Sequence, residues 1–336
     1  MEFEGIVKKI IDRAKENKKR IVLPETTDKR ILEAAYISAK ENIADIILIG
    51  NEEDIKKIYT EMNMDITNVD FKIIDPKTSE KTKKYIEEFY ELRKHKGMTI
   101  EKAESIILDN VYFATMMVKL DEADGMVCGA IHSTADTLRP ALQIIKQAEN
   151  INTVSAFFLM QTHNTDLGSN GVFVFGDCGL VEFPTEEQLI DISIASAKSF
   201  KNLVNEEPKV AFLSYSTKGS AKSEAITKTQ NVVERLSKLN VGFEFDGELQ
   251  LDAAIIPEVA KLKAPESKVA GNANVLIFPD LEAGNIGYKM AQRFGNAIAL
   301  GPITQGLKKP INDLSRGCNV KEVIGAIAIT SVQANI

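Results

Sequence analysis

Asp124-Gly-Met-Val-Cys128-Gly129-Ala-Ile-His-Ser133-Thr134-Ala-Asp136-Thr-Leu-Arg139-Pro140 reads as a buried strand, a turn of small residues and a helix start. The run that ends at Cys128 is short and apolar, as expected of a strand covered on both faces. Ser133 or Thr134 then offers a hydroxyl to cap the following helix, expected over 133–148. The same alternation extends outward in both directions. Strands are expected at 20–24, 45–50 and 70–75, with helices at 28–41 (capped by Thr27 or Asp28), 51–62, 76–95 and 99–120. A second series follows, with strands at 154–160, 172–175, 209–215, 241–246, 274–279 and 297–300. Its helices fall near 185–202, 218–239, 250–262 and 285–294, and a last helix spans 320–333. Short apolar runs alternating with helical periodicity favour an α/β protein with largely parallel sheets. No repeat or low-complexity linker marks a boundary; the polar stretch 147–153 is a plausible crossing point.

A chain of 336 residues fits two moderate domains, and its 44% apolar and 26% charged residues are ordinary for a globular protein. The net charge of -7 argues against a nucleic-acid partner, which needs a basic field. Any phosphate site must therefore be local and built from a few arginines. Cys128, Cys178 and Cys318 are widely spaced, and neither they nor His95, His132 and His163 show metal-ligand spacing, so no metal is expected. Met1-Glu2-Phe3-Glu4-Gly5 leads into an amphipathic run, not a signal sequence. No apolar stretch approaches the ~20 residues of a membrane span. A cytoplasmic location and no membrane partner are the expectation.

Ligand sites in parallel α/β folds gather where strands end. After Cys128, free backbone N–H groups and a helix dipole would favour an anion, and Arg139 would add a bidentate grip on phosphate. The competing reading is an ordinary capped helix with a solvated arginine. Leu213-Ser-Tyr-Ser-Thr-Lys-Gly-Ser-Ala221 is polar and follows a strand, but lacks Walker A spacing. Pro279-Asp-Leu-Glu-Ala-Gly284-Asn-Ile-Gly287-Tyr-Lys289 has two glycines three apart and no dinucleotide fingerprint. The stretch 301–318, long, polar and late, is the most unusual, and a long loop in a compact domain is often functional. It holds Ser315, Arg316 and Cys318. A helix cap and a surface charge are the alternatives for Ser315 and Arg316, and a small buried hydrophobe is the favoured reading for Cys318.

Together these loops resemble the phosphotransacetylase (phosphate acetyltransferase) family along essentially the whole chain. The matching stretches are Ile21-Val-Leu-Pro-Glu25, Glu91-Leu-Arg93-Lys-His-Lys-Gly97, Ser133-Thr-Ala-Asp-Thr-Leu-Arg139-Pro-Ala-Leu-Gln143 and Asp246-Gly-Glu-Leu-Gln-Leu-Asp-Ala-Ala254. Ala270-Gly-Asn-Ala-Asn-Val-Leu-Ile-Phe-Pro-Asp280, Gly284-Asn-Ile-Gly-Tyr-Lys289 and Lys309-Pro-Ile-Asn-Asp-Leu-Ser315-Arg-Gly-Cys318 continue the match in order. The resemblance implies an isocitrate/isopropylmalate-dehydrogenase-like architecture. A first domain of 1–149 plus 303–336 and a second of 150–302 would carry the active cleft between them, in a homodimer.

The implied reaction moves an acetyl group reversibly between acetyl phosphate and coenzyme A, releasing or taking up phosphate, with no cofactor beyond these substrates. By family position, Arg93, Ser133 and Thr134 would bind substrate, while Arg139, Ser315, Arg316 and Glu322 would be catalytic. Two departures stand out. The family's proposed general base, an aspartate four residues past the loop cysteine, is Glu322 here, one methylene longer. Asp177-Cys178 also departs from the family pattern, which leaves Cys178 the least credible functional residue. A free thiol with pKa near 8.5 is only a few per cent ionised at neutral pH, so a positioned carboxylate would help it attack directly in a ternary complex. A phosphate butyryltransferase-like enzyme and a metal-dependent hydroxy-acid dehydrogenase are the rival readings. A non-catalytic module that binds coenzyme A or phosphate is a third.

Overall fold

The apolar runs before residue 130 become β1 (Arg20–Leu23), β2 (Asp45–Ile49), β3 (Phe71–Ile74) and β4 (Gly125–Val127). β1, β2 and β4 are almost fully buried, whereas β3, at the sheet edge, buries only Ile74 completely. The computed structural model describes residues 3–149 and 151–335. Met1 and Glu2 of the acidic start, and Asn150 of the expected crossing, lie outside the described residues.

The chain divides into two units, Met1–Glu149 with Leu307–Ile336, and Asn150–Gly306. The first is built on a five-stranded parallel sheet of order β11-β4-β1-β2-β3, where β11 is Ile311–Asn312. Its helices are α1 (Gly5–Glu16), α2 (Lys29–Lys40), α3 (Glu52–Glu61), α4 (Thr82–Arg93), α5 (Ile100–Ile107), α6 (Asn110–Lys119), α7 (Thr134–Pro140) and α13 (Val320–Gln333). The expected helix 99–120 is two helices, because Asp109 caps a fresh start by accepting the N–H groups of Val111 and Tyr112. Past Pro140 the last turns widen into a π-helix over Ala141–Ile145. α13 is apolar on every side and buried from Val323 to Val332, packed against α1, α2, β1 and β4. Each fully buried isoleucine or valine there contributes about 1.5–3 kcal/mol. The other face of the sheet covers a core of Val22, Ile47, Ile49, Met126, Phe89 and Phe113.

The second unit has a six-stranded sheet of order β10-β5-β6-β9-β7-β8. Its strands are β5 (Ser155–Gln161), β6 (Val172–Gly176), β7 (Lys209–Leu213), β8 (Glu244–Leu249), β9 (Val275–Ile277) and β10 (Ile298–Gln305). β6 through β8 run parallel, and β5 and β10 form an antiparallel edge. α8 (Glu186–Val204), α9 (Glu224–Ser237), α10 (Leu251–Ile255), α11 (Pro257–Lys263) and α12 (Leu281–Phe294) complete it.

The stretch 301–318 is not the structureless loop expected. β10 breaks register between Leu300 and Ile303, then resumes so that Ile303, Thr304 and Gln305 pair with Phe157, Ala156 and Ser155. The chain therefore enters the first unit at Leu307, four residues past the expected 303.

The strand order of the first sheet places the site. The chain builds outward from β1 through β2 to β3, then returns to lay β4 on the other side of β1. Such a reversal opens a crevice at the strands' carboxyl ends, where ligands bind in open α/β sheets. The loops leaving β1, β4 and β11 meet there.

Candidate active site

Ser133 caps α7: its hydroxyl accepts the Asp136 N–H (3.2 Å) and donates to the Asp136 carboxylate (2.7 Å). Arg139, a turn and a half on, donates from Nη1 to the same carboxylate at 3.1 Å and keeps 55% of its side chain exposed. The Thr134 hydroxyl donates to Asp313 Oδ2 at 2.6 Å, which ties α7 to the end of β11. Ser315 opens a turn in which Cys318 N–H donates to the Ser315 carbonyl (2.8 Å), and its hydroxyl accepts the Gly317 N–H (3.3 Å). Arg316 stands at the tip, exposed, and among the described residues none pairs with its guanidinium. Glu322 is the third residue of α13 and closes a capping box. Its Oε2 accepts the Asn319 N–H (3.1 Å) while Asn319 accepts the Glu322 N–H (3.0 Å).

The backbone N–H groups after β4, expected to await an anion from solution, already hold one. Glu25, fully buried at the end of β1, accepts the N–H of Ala130 at Oε2 (2.8 Å) and those of Ile131 and His132 at Oε1 (2.9 Å each). His132 Nδ1 lies 2.8 Å from the same Oε1. Glu25, Cys128 and His132 place one ligand atom each within 4.8 Å of one another, which would suit a metal on distance alone. The chemistry of the set is otherwise. The carboxylate already accepts three backbone hydrogen bonds, and burial pushes the Cys128 thiol well above its usual range. It is a brace for the loop.

Asp313 is the other buried carboxylate at these loops, 1% exposed. Burial raises it to about 6, against the opposing hydrogen bond from Thr134. Its Oδ1 has no hydrogen-bond partner among the described residues and faces Gly129. A Cβ added at Gly129 (φ +109°) would sit 2.1 Å from that oxygen and 2.5 Å from Leu314 N, so only glycine lets the two loops approach this closely. The β4 loop thus covers Asp313.

Arg93 ends α4, apart from this cluster, and lines a hollow of about 440 Å³ with Leu92, His95, Lys96, Gln143 and Lys146. Its Nε is buried without a partner among the described residues. Burial raises the Tyr112 phenol, while the charges of Arg139 and Arg93 both oppose that rise. A larger hollow of about 890 Å³ lies beside the edge strand, lined by Tyr59, Phe71 and Ile73 among others, and shares no residue with these loops.

The structure thus places Ser133 and Thr134 at the start of α7, Ser315 and Arg316 on the turn after β11 and Glu322 in the first turn of α13, with Arg139 further along α7 and Arg93 apart at the end of α4. It adds Glu25 and Asp136, to which the sequence assigned no place in the site, and Asp313, which the sequence offered as the next candidate for the base after Glu322. The signal for Glu25 and Asp313 was a carboxylate just past a strand end, whereas Asp136 lies in the first turn of α7.

The profile of the family described as phosphate acetyl/butaryl transferase matches residues 5–331. The chain belongs to this family. A phosphate acetyltransferase of Thermoanaerobacterium thermosaccharolyticum is 54% identical over 330 residues, which cover 98% of this chain and 99% of that one. A solved phosphotransacetylase from Streptococcus pyogenes is 42% identical with a TM-score of 0.90, covering 100% of this chain and 99% of its own. A 4-hydroxythreonine-4-phosphate dehydrogenase from Klebsiella pneumoniae, only 10% identical, covers 94% of this chain and 99% of its own at a TM-score of 0.55 and shares the fold alone. The family's dehydrogenase-like architecture and its standing as an acyltransferase enzyme therefore apply to this chain.

Proposed function

We propose that this protein is a phosphate acetyltransferase that passes an acetyl group reversibly between acetyl phosphate and coenzyme A. The observation that carries the reading is the pair of facing loops at the ends of β4 and β11. They present Arg316, whose guanidinium has no partner among the described residues, next to Ser315 and ahead of the helix that carries Glu322, in a chain whose full-length relatives bear that activity's name. Arg316 and Arg139 hold the phosphoryl oxygens, and Ser315 donates to the acyl or phosphate oxygen as charge develops. Arg93, with Lys96 and Lys146 around its hollow, offers the positive charge that the phosphate-bearing end of coenzyme A requires. Ser133 and Thr134 set the shape of the loop that faces the substrate.

Glu322 takes the proton of the attacking thiol. Asp313, although its raised pKa suits a base, lies under Gly129 where no substrate atom reaches it. The thiolate attacks the acetyl carbonyl directly; the C–S bond forms, the C–O bond to phosphate breaks, and the phosphate oxygen keeps the electron pair. No protein thiol competes for the acetyl group. Burial pushes Cys318 up to about 11 and holds Cys128 and Cys178 well above the usual range, so all three stay protonated. No cofactor beyond the two substrates is needed. A homodimer fits the exposed apolar stripe Ile286, Met290 and Phe294 on α12, which a second copy would cover. No helix among the described residues is long and apolar enough to cross a membrane, in keeping with the proposed cytoplasmic location.

Acetyl-CoA formation from acetyl phosphate and coenzyme A, followed by thioester absorbance without added metal, tests the reading. Turnover within the usual enzymatic range of about 1–10³ s⁻¹ is expected. Exchange of labelled phosphate into acetyl phosphate without coenzyme A would indicate an acyl-enzyme and overturn the direct route.

A further inference from the structure

We propose that Arg30 is a positioning residue that fixes the loop carrying Ser315 and Arg316 against the loop carrying Ser133 and Thr134. The proposal rests on the acetyl-transfer reading above. A guanidinium has five N–H donors in a rigid plane. All five of Arg30's are engaged by protein oxygens. Nη1 donates to the carbonyls of Arg316 (2.9 Å) and Cys318 (2.8 Å). Nη2 donates to the Ala130 carbonyl (2.9 Å) and to Asp28 Oδ2 (2.7 Å), and Nε donates to Asp28 Oδ1 (3.1 Å). No donor is left for a phosphate, so Arg30 differs in kind from Arg316.

The contacts fall where they decide geometry. The Arg316 and Cys318 carbonyls belong to the turn that aims Arg316, and that turn leads into the first turn of α13, where Glu322 sits. Ala130 is held at both ends from the β1–α2 segment, its N–H by Glu25 and its carbonyl by Arg30. The Thr134–Asp313 bond ties the two loops directly, and Arg30 ties them a second time through the Ser315–Cys318 turn. Asp28 fixes the guanidinium plane and also caps α2, accepting the Arg30 N–H at 2.8 Å, so the plane is referenced to a helix axis. With one tie the turn is free to pivot; with two it is not. A displacement of about 1 Å in a reacting group costs about 10²-fold in rate.

Arg30→Ala and Arg30→Lys test this on the full chain. Arg30→Ala should lose about 10²-fold in kcat, with KM for acetyl phosphate and for coenzyme A within about threefold, because no Arg30 donor meets substrate. Added guanidinium chloride at tens of millimolar should recover part of that kcat and leave the wild-type rate unimproved. Arg30→Lys, which keeps the charge but not the planar fork, should lose about 10-fold or more. Hydrogen exchange followed by mass spectrometry should speed up in both variants in the peptides covering 129–134 and 313–319, and not in the second unit. That exchange reads the tie whether or not the wild-type protein transfers acetyl groups, so failure of the functional reading and failure of the Arg30 assignment are told apart. Arg30→Lys keeping kcat within about twofold, or unchanged exchange in both peptides, would overturn the proposal. So would a rise of tenfold or more in either KM, which would make Arg30 a substrate ligand.

Discussion

Glu322→Gln separates the helix cap seen in the structure from the base role proposed above. The carboxylate closes the capping box of α13, and in the proposed mechanism it takes the proton of the thiol. Glutamine satisfies a capping box as well as glutamate, so the hydrogen bond to the Asn319 N–H survives the change. What is lost structurally is a negative charge near the amino end of a helix, about 0.3–1 kcal/mol. At about 2–4 °C per kcal/mol for units of this size, Tm falls by no more than about 4 °C. What is lost chemically is the base, worth about 10² to 10⁴ in kcat with KM for coenzyme A little changed.

The pH dependence gives a second number. A thiol of pKa about 8.5 is roughly 3% ionised at pH 7 and roughly 75% at pH 9. The variant should therefore regain up to about 25-fold relative to wild type over that interval, since its thiolate then forms unaided. Initial rates of acetyl-CoA formation at the two pH values, with a melting curve for each protein, complete the assay. A variant with kcat within threefold of wild type at pH 7 and a slightly lowered Tm would leave Glu322 as a helix cap only.

Two further outcomes follow from the same loops. Arg139→Gln and Arg316→Gln should each lower kcat/KM for acetyl phosphate by about 10- to 150-fold, the worth of a hydrogen bond to a charged partner; wild-type efficiency in both would refute the phosphate assignment. Asp313→Asn tests the buried carboxylate through stability. Its folded pKa of about 6 lies above the ordinary 3.8, so the folded state holds the proton longer than the unfolded chain. Wild-type stability is thus fullest below about pH 4 and declines until about pH 6, by on the order of 3 kcal/mol from this group. The Tm of Asp313→Asn minus that of wild type should rise across that window in paired melts, and a flat difference would show that the carboxylate is not held protonated.

Much of the fold was legible because its strands are short, apolar and buried, and nothing else in the sequence looks like them. β8 shows the limit. The apolar residues at 241–245 drew the expected strand to 241–246, whereas the pairing runs Glu244–Leu249, because this edge strand buries only its second half. β11 has two residues and no periodicity to detect. Of the site, Ser133 as cap and the exposure of Arg316 follow from local pattern. The brace does not. Glu25 and Arg30 act on backbone groups of residues 130, 316 and 318, and no property of their own neighbourhoods in sequence distinguishes them from an ordinary strand-end glutamate and helix arginine.

The brace also resolves an awkward charge balance. A chain of net charge -7 binding anionic substrates looks self-defeating until its acidic groups are sorted by place. Glu25 is wrapped in backbone N–H groups, and Asp177 and Glu248 play the same part in the second unit. Asp177 accepts from Ala156, Gly179 and Leu180, and Glu248 from Gly219, Ser216 and Gln230. Each is at or just past a strand end, and each uses its charge to hold a loop together. Most of the remaining acids lie on solvated faces, where charges more than about 10 Å away are largely screened. The local field at the β4 and β11 loops is then set by the groups that lack a strong partner, above all Arg316. Asp136 tempers Arg139 only through an exposed pair, which solvent weakens and a phosphate readily replaces. Carboxylates that build the loops, and guanidinium groups left over at their tips, are compatible with any net charge the rest of the surface carries.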